Sequence, residues 1–225
     1  MELKAEKVTK EFIRPSGKTN RFTAVREADL TLAAGQLTVL MGRSGSGKTT
    51  LLNMLSGLLA PTSGSITADG RGLYAMTDKE LSRFRNEHFG VIPQGQTAIH
   101  SLTVRENILL PFALYGDKPD ELYADELMER LGIAQLAGAK PSELSGGELR
   151  RAAIARAAVK RPQFIFADEP TGDLDDENTA AVFGFLKECA ANGASVLVVT
   201  HENDAVSYAD VLIKMTAGEL SLGAK

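Results

Sequence analysis

Residues 42–49 read GRSGSGKT and match the pattern G-x-x-x-x-G-K-[ST] at every fixed position. The apolar run Leu37–Met41 precedes this segment, and a second apolar stretch, residues 51–55, follows it. A buried strand, a glycine-rich loop and a helix in this order form the context in which the pattern binds phosphate. The segment therefore predicts an α/β fold in which a strand and a helix hold a phosphate-binding loop between them.

The residue types of this loop suit an anion. Gly42, Gly45 and Gly47 have no Cβ atom, so the backbone can fold tightly and bring its N–H groups close to a phosphate. The helix that begins near Gly47 adds the positive end of its dipole. Lys48 can place its ammonium group on the outer phosphates, and the Thr49 hydroxyl can bind Mg²⁺. An ordinary strand-to-helix turn with a surface lysine is the alternative. The predicted nucleotide contacts are Gly42, Arg43, Ser44, Gly45, Ser46, Gly47, Lys48, Thr49 and Thr50.

The composition is that of an ordinary globular chain. Its 225 residues suffice for one domain with a sizeable core, and its net charge of −4 gives no indication of nucleic acid as a partner. Cys189 is the only cysteine, so an intrachain disulfide is impossible, and we interpret it as a packed apolar residue. No run approaches the roughly 18 apolar residues of a membrane span, and the first residues lack the apolar region of a secretory signal. If the protein serves a membrane process, we expect the membrane-spanning part to be another chain.

The order of the predicted elements indicates three parts. From residue 164 onward, strands and helices alternate, which predicts a parallel sheet with both faces covered. Residues 97–160 are almost entirely helical, and we interpret them as an inserted helical subdomain. Several short strands and turns precede the phosphate-binding loop, which predicts a small antiparallel β layer. We therefore divide the single domain, residues 1–225, into a β layer plus core, residues 1–96 and 161–225, and the helical insert.

Local patterns predict the individual elements. Strands are predicted over residues 3–9, 28–33, 37–41, 64–68, 89–93, 164–168, 195–200 and 211–214. Helices are predicted over residues 48–59, 78–86, 104–115, 120–131, 146–160, 176–191 and 202–208. Turn-forming glycine, proline and asparagine residues separate these segments.

The segment Phe164–Asp168 is an apolar strand that ends in a carboxylate, and Glu169 adds a second one. Ligands of open α/β sheets bind outside the carboxyl ends of the strands. A buried carboxylate is unfavourable unless it is paired or bound to a cation. Asp168 is therefore the expected Mg²⁺ ligand, directly or through water. Glu169 is the candidate to orient a water molecule for attack on the terminal phosphate. The alternative is an acid pair that caps the next turn.

Residues 144–148 read LSGGE and precede a predicted helix. Ser145 and Glu148 have the spacing of a capping box, which is the purely structural interpretation. That interpretation does not explain the two successive glycines, Gly146 and Gly147. Glycines ahead of a helix form an anion-binding site with outward-facing N–H groups. One chain would then carry two phosphate-binding surfaces. We interpret the arginines that follow as a solvated helix face without a catalytic role: Arg150, Arg151 and Arg156.

These segments occur in the order of a known family, and the chain resembles an ATP-binding cassette ATPase over essentially its whole length. GRSGSGKT resembles Walker A, FIFADE resembles Walker B with its catalytic glutamate, and LSGGE resembles the family's signature sequence. Gln94 resembles the Q-loop glutamine, residues 171–175 with Asp175 resemble the D-loop, and His201 resembles the switch histidine. Phe12 stands where the family has the aromatic residue that stacks on adenine.

The resemblance implies a fold, two cofactors and a set of roles. The fold is a P-loop NTPase, RecA-like core with a mostly parallel sheet, a small antiparallel β subdomain and an inserted α-helical subdomain. The cofactors are ATP and Mg²⁺, with the metal held by Thr49, Gln94 and Asp168. The implied catalytic residues are Glu169, His201 and Lys48. The implied nucleotide contacts extend to Phe12, Ser145, Gly146, Gly147, Glu148 and Asp175.

The resemblance also implies partners. In the family the signature faces away from its own Walker A, so two chains bind ATP head to tail, as a homodimer or a heterodimer. Such subunits lie on the inner, cytoplasmic face of the cell membrane through an integral membrane permease. Segments such as LTVRENILLP and ADEPTGDLD are similar to the macrolide-exporter and lipoprotein-releasing branch. The departures from the family pattern are Glu148, where glutamine is common, Pro93 before Gln94, and the polar stretch 95–101.

Two other functions share part of this pattern. A P-loop kinase acting on a small metabolite would use GRSGSGKT and Asp168, but it does not account for LSGGE, Glu169 and His201 in this order. A soluble or regulatory cassette ATPase, for cofactor assembly or cell-division signalling, would have the same ATP site. Phosphate release without an acceptor separates the ATPase from the kinase. Co-purification with an integral membrane protein separates transport from the regulatory role.

Overall fold

The computed structural model describes residues 1–13, 21–95, 97–172 and 174–223, and within them the chain forms ten strands and six α-helices. The strands are β1 Leu3–Ile13, β2 Arg21–Leu32, β3 Leu37–Met41, β4 Ser63–Ala68, β5 Arg71–Gly72, β6 Phe89–Ile92, β7 Phe164–Asp168, β8 Ser195–Thr200, β9 Val211–Thr216 and β10 Glu219–Leu222. The helices are α1 Lys48–Leu55, α2 Asp78–His88, α3 Val104–Ala113, α4 Glu121–Arg130, α5 Gly146–Ala158 and α6 Asp176–Ala191.

A six-stranded sheet with the order β10-β9-β3-β8-β7-β6 forms the centre of the fold. Strands β9, β3, β8, β7 and β6 run parallel, and β10 pairs antiparallel with β9. Apolar side chains alternate between two cores, with Val39 and Val198 in one and Leu40 and Leu197 in the other. Because both faces are covered, the parallel strands read as almost continuous apolar runs. β3, β8 and β7 are neighbours, so their carboxyl ends meet at one edge of the sheet.

A four-stranded antiparallel sheet, with the order β2-β1-β4-β5, lies beside this central sheet. It shares a hydrophobic core with α1 and the central sheet, in which Leu3, Val25, Leu51 and Leu55 are fully buried. The antiparallel layer and the mostly parallel central sheet confirm the predicted α/β fold class.

The helices α3, α4 and α5 pack against one another, and α5 also packs on β6 at the edge of the central sheet. A capping box begins α3, with Thr103 and Glu106, and another begins α5, with Ser145 and Glu148. All three helices lie between β6 and β7 in the chain, where the helical insert was expected. The division of the domain at residues 97 and 160 stays a prediction.

In the part of the chain that the structure describes, no helix combines the length and the apolar character needed to cross a membrane.

Several predicted boundaries are wrong. The helix predicted over residues 48–59 ends at Leu55, because Gly57 has a φ of 71° and turns the chain away. The helix predicted over residues 202–208 begins one residue later, as the 3₁₀ helix Asn203–Tyr208. β2 begins at Arg21 rather than at residue 28, because its pairing with β1 extends the hairpin. The strands β5 and β10 were not predicted, since each is short and pairs antiparallel at the edge of a sheet.

Candidate functional site

The loop between β3 and α1 has a conformation that only glycine allows at position 47. Gly47 has a φ of 107°, and a Cβ atom there would lie 2.2 Å from Ala24 O. The turn between β9 and β10 supports the same loop. Gly218 N donates a hydrogen bond to Ser46 O at 3.0 Å, and Arg26 N donates to Gly218 O at 2.8 Å. The loop is therefore tied both to the antiparallel sheet and to the β9–β10 turn.

Lys48 directs its ammonium group along this loop. Its side chain is buried, and Nζ donates to Gly42 O at 2.7 Å and to Arg43 O at 3.2 Å. The Ser46 hydroxyl is also buried and has no hydrogen-bond partner among the described residues. A buried cation and an unpaired hydroxyl beside a glycine backbone favour a multiply charged anion.

Asp168 ends β7 beside the loop. It is 2% exposed, its Oδ1 atom has no hydrogen-bond partner among the described residues, and its carboxylate is hydrogen-bonded to the Thr49 side chain. Burial, aided by the charge of Glu169, raises the pKa of Asp168 above its ordinary value, although the Thr49 hydrogen bond and Lys48 oppose the shift.

The oxygen atoms at this place fit a hard cation such as Mg²⁺, which prefers oxygen ligands and takes few of them from the protein. The unpaired Oδ1 of Asp168 and the hydroxyl of Thr49 are the atoms concerned. Within the described ranges, no group of three or more His, Cys, Asp and Glu side chains could hold a metal ion. A cation here would therefore take its remaining ligands from a substrate or from water.

Glu169 lies at the turn out of β7, where its φ of 47° places a non-glycine residue in the left-handed region. Its carboxylate accepts a hydrogen bond from the Thr200 hydroxyl at 3.0 Å, and His201 Nδ1 lies 2.9 Å from the other carboxylate oxygen. This hydrogen bond and the charge of Glu169 raise the pKa of His201 above its ordinary value. The neighbouring strands β7 and β8 thus bring together a glutamate and a histidine that are distant in sequence.

A cavity of about 290 Å³, the loop cavity, collects these groups. Its lining includes the predicted residues Ser44, Gly45, Gly47, Lys48, Thr49, Thr50, Gln94, Glu169 and His201. Three other predicted loop contacts line an adjoining cavity of about 840 Å³: Gly42, Arg43 and Ser46. The site therefore combines the glycine loop with Glu169, which follows β7, and His201, which follows β8.

The loop cavity contains an aromatic residue that sequence reasoning missed. Phe22 of β2 lines the cavity, and Phe12 of β1, the predicted adenine contact, stacks on Phe22 with ring centroids 6.3 Å apart and planes at 20°. The two residues are partners in the β1–β2 pairing. The sequence has an aromatic residue on each side of residues 14–20, which was the available signal. It was missed because β2 was predicted to begin too late.

The signature segment, residues 144–148, borders a different cavity, of about 550 Å³, which we call the signature cavity. Ser145, Gly146, Gly147 and Glu148 line it, and Ser145 is exposed. The Ser145 hydroxyl donates to Glu148 Oε2 at 2.8 Å and accepts from Glu148 N at 3.3 Å, which forms the capping box of α5. The segment is therefore accessible from outside its own chain.

The predicted D-loop residue Asp175 lies beside the signature rather than in the loop cavity. It lines the signature cavity and caps α6, since its carboxylate accepts from Asn178 N at 2.8 Å. Asp173, of the same predicted loop, lies outside the described residues.

The interpretation of the arginines after the signature as a solvated helix face is wrong for Arg150. Its half-buried guanidinium group donates to Pro93 O at 2.6 Å, Asp168 O at 2.8 Å and Pro170 O at 3.1 Å. Arg151 is also half-buried, and its Nη1 donates to Asn178 Oδ1 at 2.6 Å. The amino-terminal half of α5 therefore faces the protein on the side of these two arginines.

The site combines a glycine loop with a buried lysine, an unpaired strand-end carboxylate and a glutamate–histidine pair. These groups can hold the phosphates of a nucleotide, accommodate a cation beside them and orient a water molecule. The fold and the site together define a P-loop nucleotide-binding hydrolase.

Comparison with known families makes this assignment specific. The family model described as ABC transporter matches residues 25–172, which include the glycine loop, the signature segment and Glu169. The chain therefore belongs to the ABC transporter family, as an ATP-binding and ATP-hydrolysing subunit. This finding confirms the resemblance seen in the sequence.

Several relatives and solved structures match nearly the whole chain. Lipoprotein-releasing system ATP-binding protein LolD 1 of Chlorobium luteolum is 38% identical over 230 residues, covering 99% of this chain and 97% of that protein. Macrolide export ATP-binding/permease protein MacB of Rhodopseudomonas palustris is 40% identical over 207 residues, covering 91% of this chain and 31% of that protein. A dimeric ATP-binding cassette, solved in a post-hydrolysis state bound to ADP and Pi, has a TM-score of 0.90 at 30% identity and 99% coverage of both chains.

Proposed function

We propose that this subunit binds ATP with Mg²⁺ at its glycine loop and hydrolyses it between two chains arranged head to tail, so that the cycle drives a separate membrane permease. One observation carries the proposal: the glycine loop with its Glu169–His201 pair and the signature segment line separate cavities of one chain. Because the signature segment lies in a separate cavity, it would contact a nucleotide that is bound to the glycine loop of another chain.

The residues of the loop cavity divide the chemistry among them. Lys48 and the loop N–H groups offset the negative charge on the transferring phosphoryl group. Glu169 accepts a hydrogen bond from the attacking water and orients it, and His201, positioned by Glu169, contacts the terminal phosphate. Phe12, stacked on Phe22, offers an aromatic surface to the adenine ring.

Thr49, Asp168 and Gln94 would hold the Mg²⁺. The Thr49 side chain is hydrogen-bonded to Asp168, the Oδ1 atom of Asp168 is unpaired, and Gln94 lines the same cavity. When bound there, the ion supplies positive charge that neutralises the outer phosphate oxygens. Because burial raises the pKa of Asp168, cation binding should strengthen as the pH rises through that pKa.

The signature segment of one chain would meet the γ-phosphate held by the other chain. α5 begins at Gly146, so its amino-terminal N–H groups and dipole point toward an anion at that position. If the two chains are identical, the arrangement has two-fold symmetry and both nucleotides lie in equivalent interfaces. Hydrolysis removes the γ-phosphate contact, and the chains can then separate.

The relatives support a permease partner. MacB is named as an ATP-binding and permease protein, and the present chain matches 31% of its length. LolD 1 is named as the ATP-binding protein of a lipoprotein-releasing system. We infer that this chain works on the cytoplasmic face of the membrane, held there by a permease of the exporter or lipoprotein-releasing type. No contact of the described residues favours a regulatory role without transport or a metabolite kinase.

Size-exclusion chromatography of a Glu169→Gln variant tests the dimer mechanism. The variant should bind ATP without hydrolysing it, so we expect a dimer with ATP and Mg²⁺ and a monomer with ADP. Glu87→Gln is the matched control, because Glu87 pairs with Arg83 on the surface of α2, and it should hydrolyse ATP like the wild type. A Glu169→Gln protein that stays monomeric with ATP contradicts the mechanism. A wild-type protein that releases no phosphate from ATP contradicts the function.

A further inference from the structure

Arg150, near the start of α5, directs each of its five guanidinium N–H donors to a backbone carbonyl oxygen. The acceptors are Pro170 O at 3.1 Å from Nε, Pro93 O at 2.6 Å and Gly95 O at 3.4 Å from Nη1, and Asp168 O at 2.8 Å and Glu169 O from Nη2. A guanidinium group carries five N–H donors in a fixed planar arrangement, so this set of acceptors matches it fully.

One group of acceptors fixes the turn that carries Glu169. The carbonyl groups of the consecutive residues 168–170 all accept from Arg150. Glu169 has a φ of 47°, a strained conformation that persists only where the surrounding structure holds it. On the amide side, Glu169 N donates to Val199 O at 2.8 Å. Arg150 therefore helps to fix the backbone from which the Glu169 carboxylate projects.

The other group of acceptors flanks Gln94. Pro93 O and Gly95 O stand on either side of this residue, and both accept from Nη1 of Arg150. Gln94 itself is exposed and lines the loop cavity together with Glu169. One side chain thus fixes the backbone around a proposed cation ligand and around the residue proposed to orient water.

Arg150 belongs to the same helix as the signature segment. α5 begins with the Ser145–Glu148 capping box, and Arg150 follows on the same rigid element. We propose that Arg150 is a positioning residue that transmits the contact between the signature and the partner chain's nucleotide to Glu169 and Gln94 of its own chain. This inference rests on the proposed head-to-tail function. In this arrangement, the nucleotide that contacts the signature of a chain affects the positions of Glu169 and Gln94 in the nucleotide site of that same chain.

Lysine at this position keeps the charge but not the contacts. Its ammonium group offers three donors from one atom, and it cannot reproduce a planar set of five. Arg150→Lys should therefore loosen Glu169 and Gln94 while the phosphate-binding surfaces stay intact. Arg105→Lys is the matched control, because Arg105 of α3 makes a comparable multidentate contact with Glu121 and Asp125 within the helical insert.

Steady-state ATP hydrolysis over a range of ATP concentrations tests the proposal. We expect Arg150→Lys to lower kcat about tenfold to a hundredfold, since small errors of position have effects of this size. The Kd for a fluorescent ATP analogue should stay within about threefold of wild type, and the Hill coefficient for ATP should fall toward 1. Arg105→Lys should match the wild type in all three quantities. The double variant with Glu169→Gln should still form an ATP-dependent dimer, which shows that the fold is intact.

Two outcomes overturn the role of Arg150. The first is an Arg150→Lys protein with wild-type kcat and Hill coefficient. The second is a protein in which kcat, ATP affinity and dimer formation all decline together, because that pattern indicates a merely structural residue. A wild-type protein without ATPase activity overturns the proposed function as well as this inference, so the two failures are distinguishable.

Discussion

The glycine loop and the signature segment are both glycine-containing turns that lead into a helix, yet they are held in different ways. In the loop, Gly47 has a positive φ and lies against Ala24 O, and Lys48 is buried. In the signature, a Cβ atom at Gly146 would meet nothing within 4 Å, and Ser145 is exposed. The loop is shaped by contacts within its own chain, whereas the signature is open to the partner chain that we propose completes its site.

The two segments also differ in charge. The Ser46 hydroxyl of the loop has no partner among the described residues, and Lys48 is next to the glycine turn. The Ser145 hydroxyl instead donates to Glu148, and hydrogen bonds from the Ser145 backbone and side chain hold the pKa of Glu148 below its ordinary value. The signature therefore presents a carboxylate beside its hydroxyl, and the negative charge of this carboxylate opposes an anion less when a cation accompanies the anion.

The largest expected effect comes from removing the cation of the loop. Lys48→Ala should lower ATP hydrolysis by a factor of about 10²–10³, because a preorganised charge stabilises the transition state. Phosphate release measures this loss, and titration with a fluorescent nucleotide shows whether nucleotide affinity changes with it. Lys79→Ala, at an exposed position of α2, is the control and should be unaffected. If Lys48→Ala retains activity within tenfold of wild type, the loop does not depend on the charge of its own lysine.

Paired glycine substitutions test the difference in how the segments are held. Gly47→Ala should lower the free energy of unfolding by about 1–3 kcal/mol or more, because it combines a disfavoured φ with a clash against Ala24 O. Gly146→Ala should change that free energy by less than about 0.5 kcal/mol, since it adds a methyl group in open space. Denaturant unfolding measures both. Equal losses at the two positions would show that the signature is shaped by its own chain after all.

The charge difference can be reduced by replacing Glu148. Glu148→Gln keeps an oxygen that can cap α5 but removes the negative charge beside Ser145. Combined with Glu169→Gln, it should strengthen the ATP-dependent dimer about twofold to tenfold and reduce its sensitivity to Mg²⁺, as followed by sedimentation. The same substitution at Glu80, which completes the capping box of α2, is the matched control. A weaker dimer would mean that Glu148 supports the interface.

The smallest effect concerns the titration of His201. Because Glu169 raises the pKa of His201, the ion pair is fully formed below the ordinary histidine pKa and is lost as the pH rises through the raised value. Glu169→Gln should return the pKa of His201 to the ordinary range, as measured by NMR titration of the imidazole resonances. If the pKa of His201 in the wild type is not raised, His201 and Glu169 do not form this ion pair.

The sequence predicted the parts of the fold and site that depend on local order. GRSGSGKT follows a buried strand and opens a helix, and FIFADE ends an apolar strand, so the loop and the carboxylates could be placed at one edge of a parallel sheet. LSGGE could be placed before a helix for the same reason. These predictions needed only the alternation of strands and helices.

The parts that were missed depend on contacts between distant segments. Phe22 reaches the loop cavity through its pairing with Phe12, and that register is set by a hairpin whose second strand was predicted to begin too late. Arg150 appeared to belong to a polar helix face, because its acceptors are backbone oxygens and leave no trace in side-chain patterns. The short strand β10 was missed because pairing at a sheet edge, rather than intrinsic propensity, defines it.

The hydrogen bond from Gly218 to Ser46 has a consequence for biosynthesis. The ribosome synthesises residue 46 long before residue 218, so the nascent chain lacks this support of the glycine loop until the β9–β10 turn emerges. Products that end before the β9–β10 turn would therefore lack one support of the glycine loop.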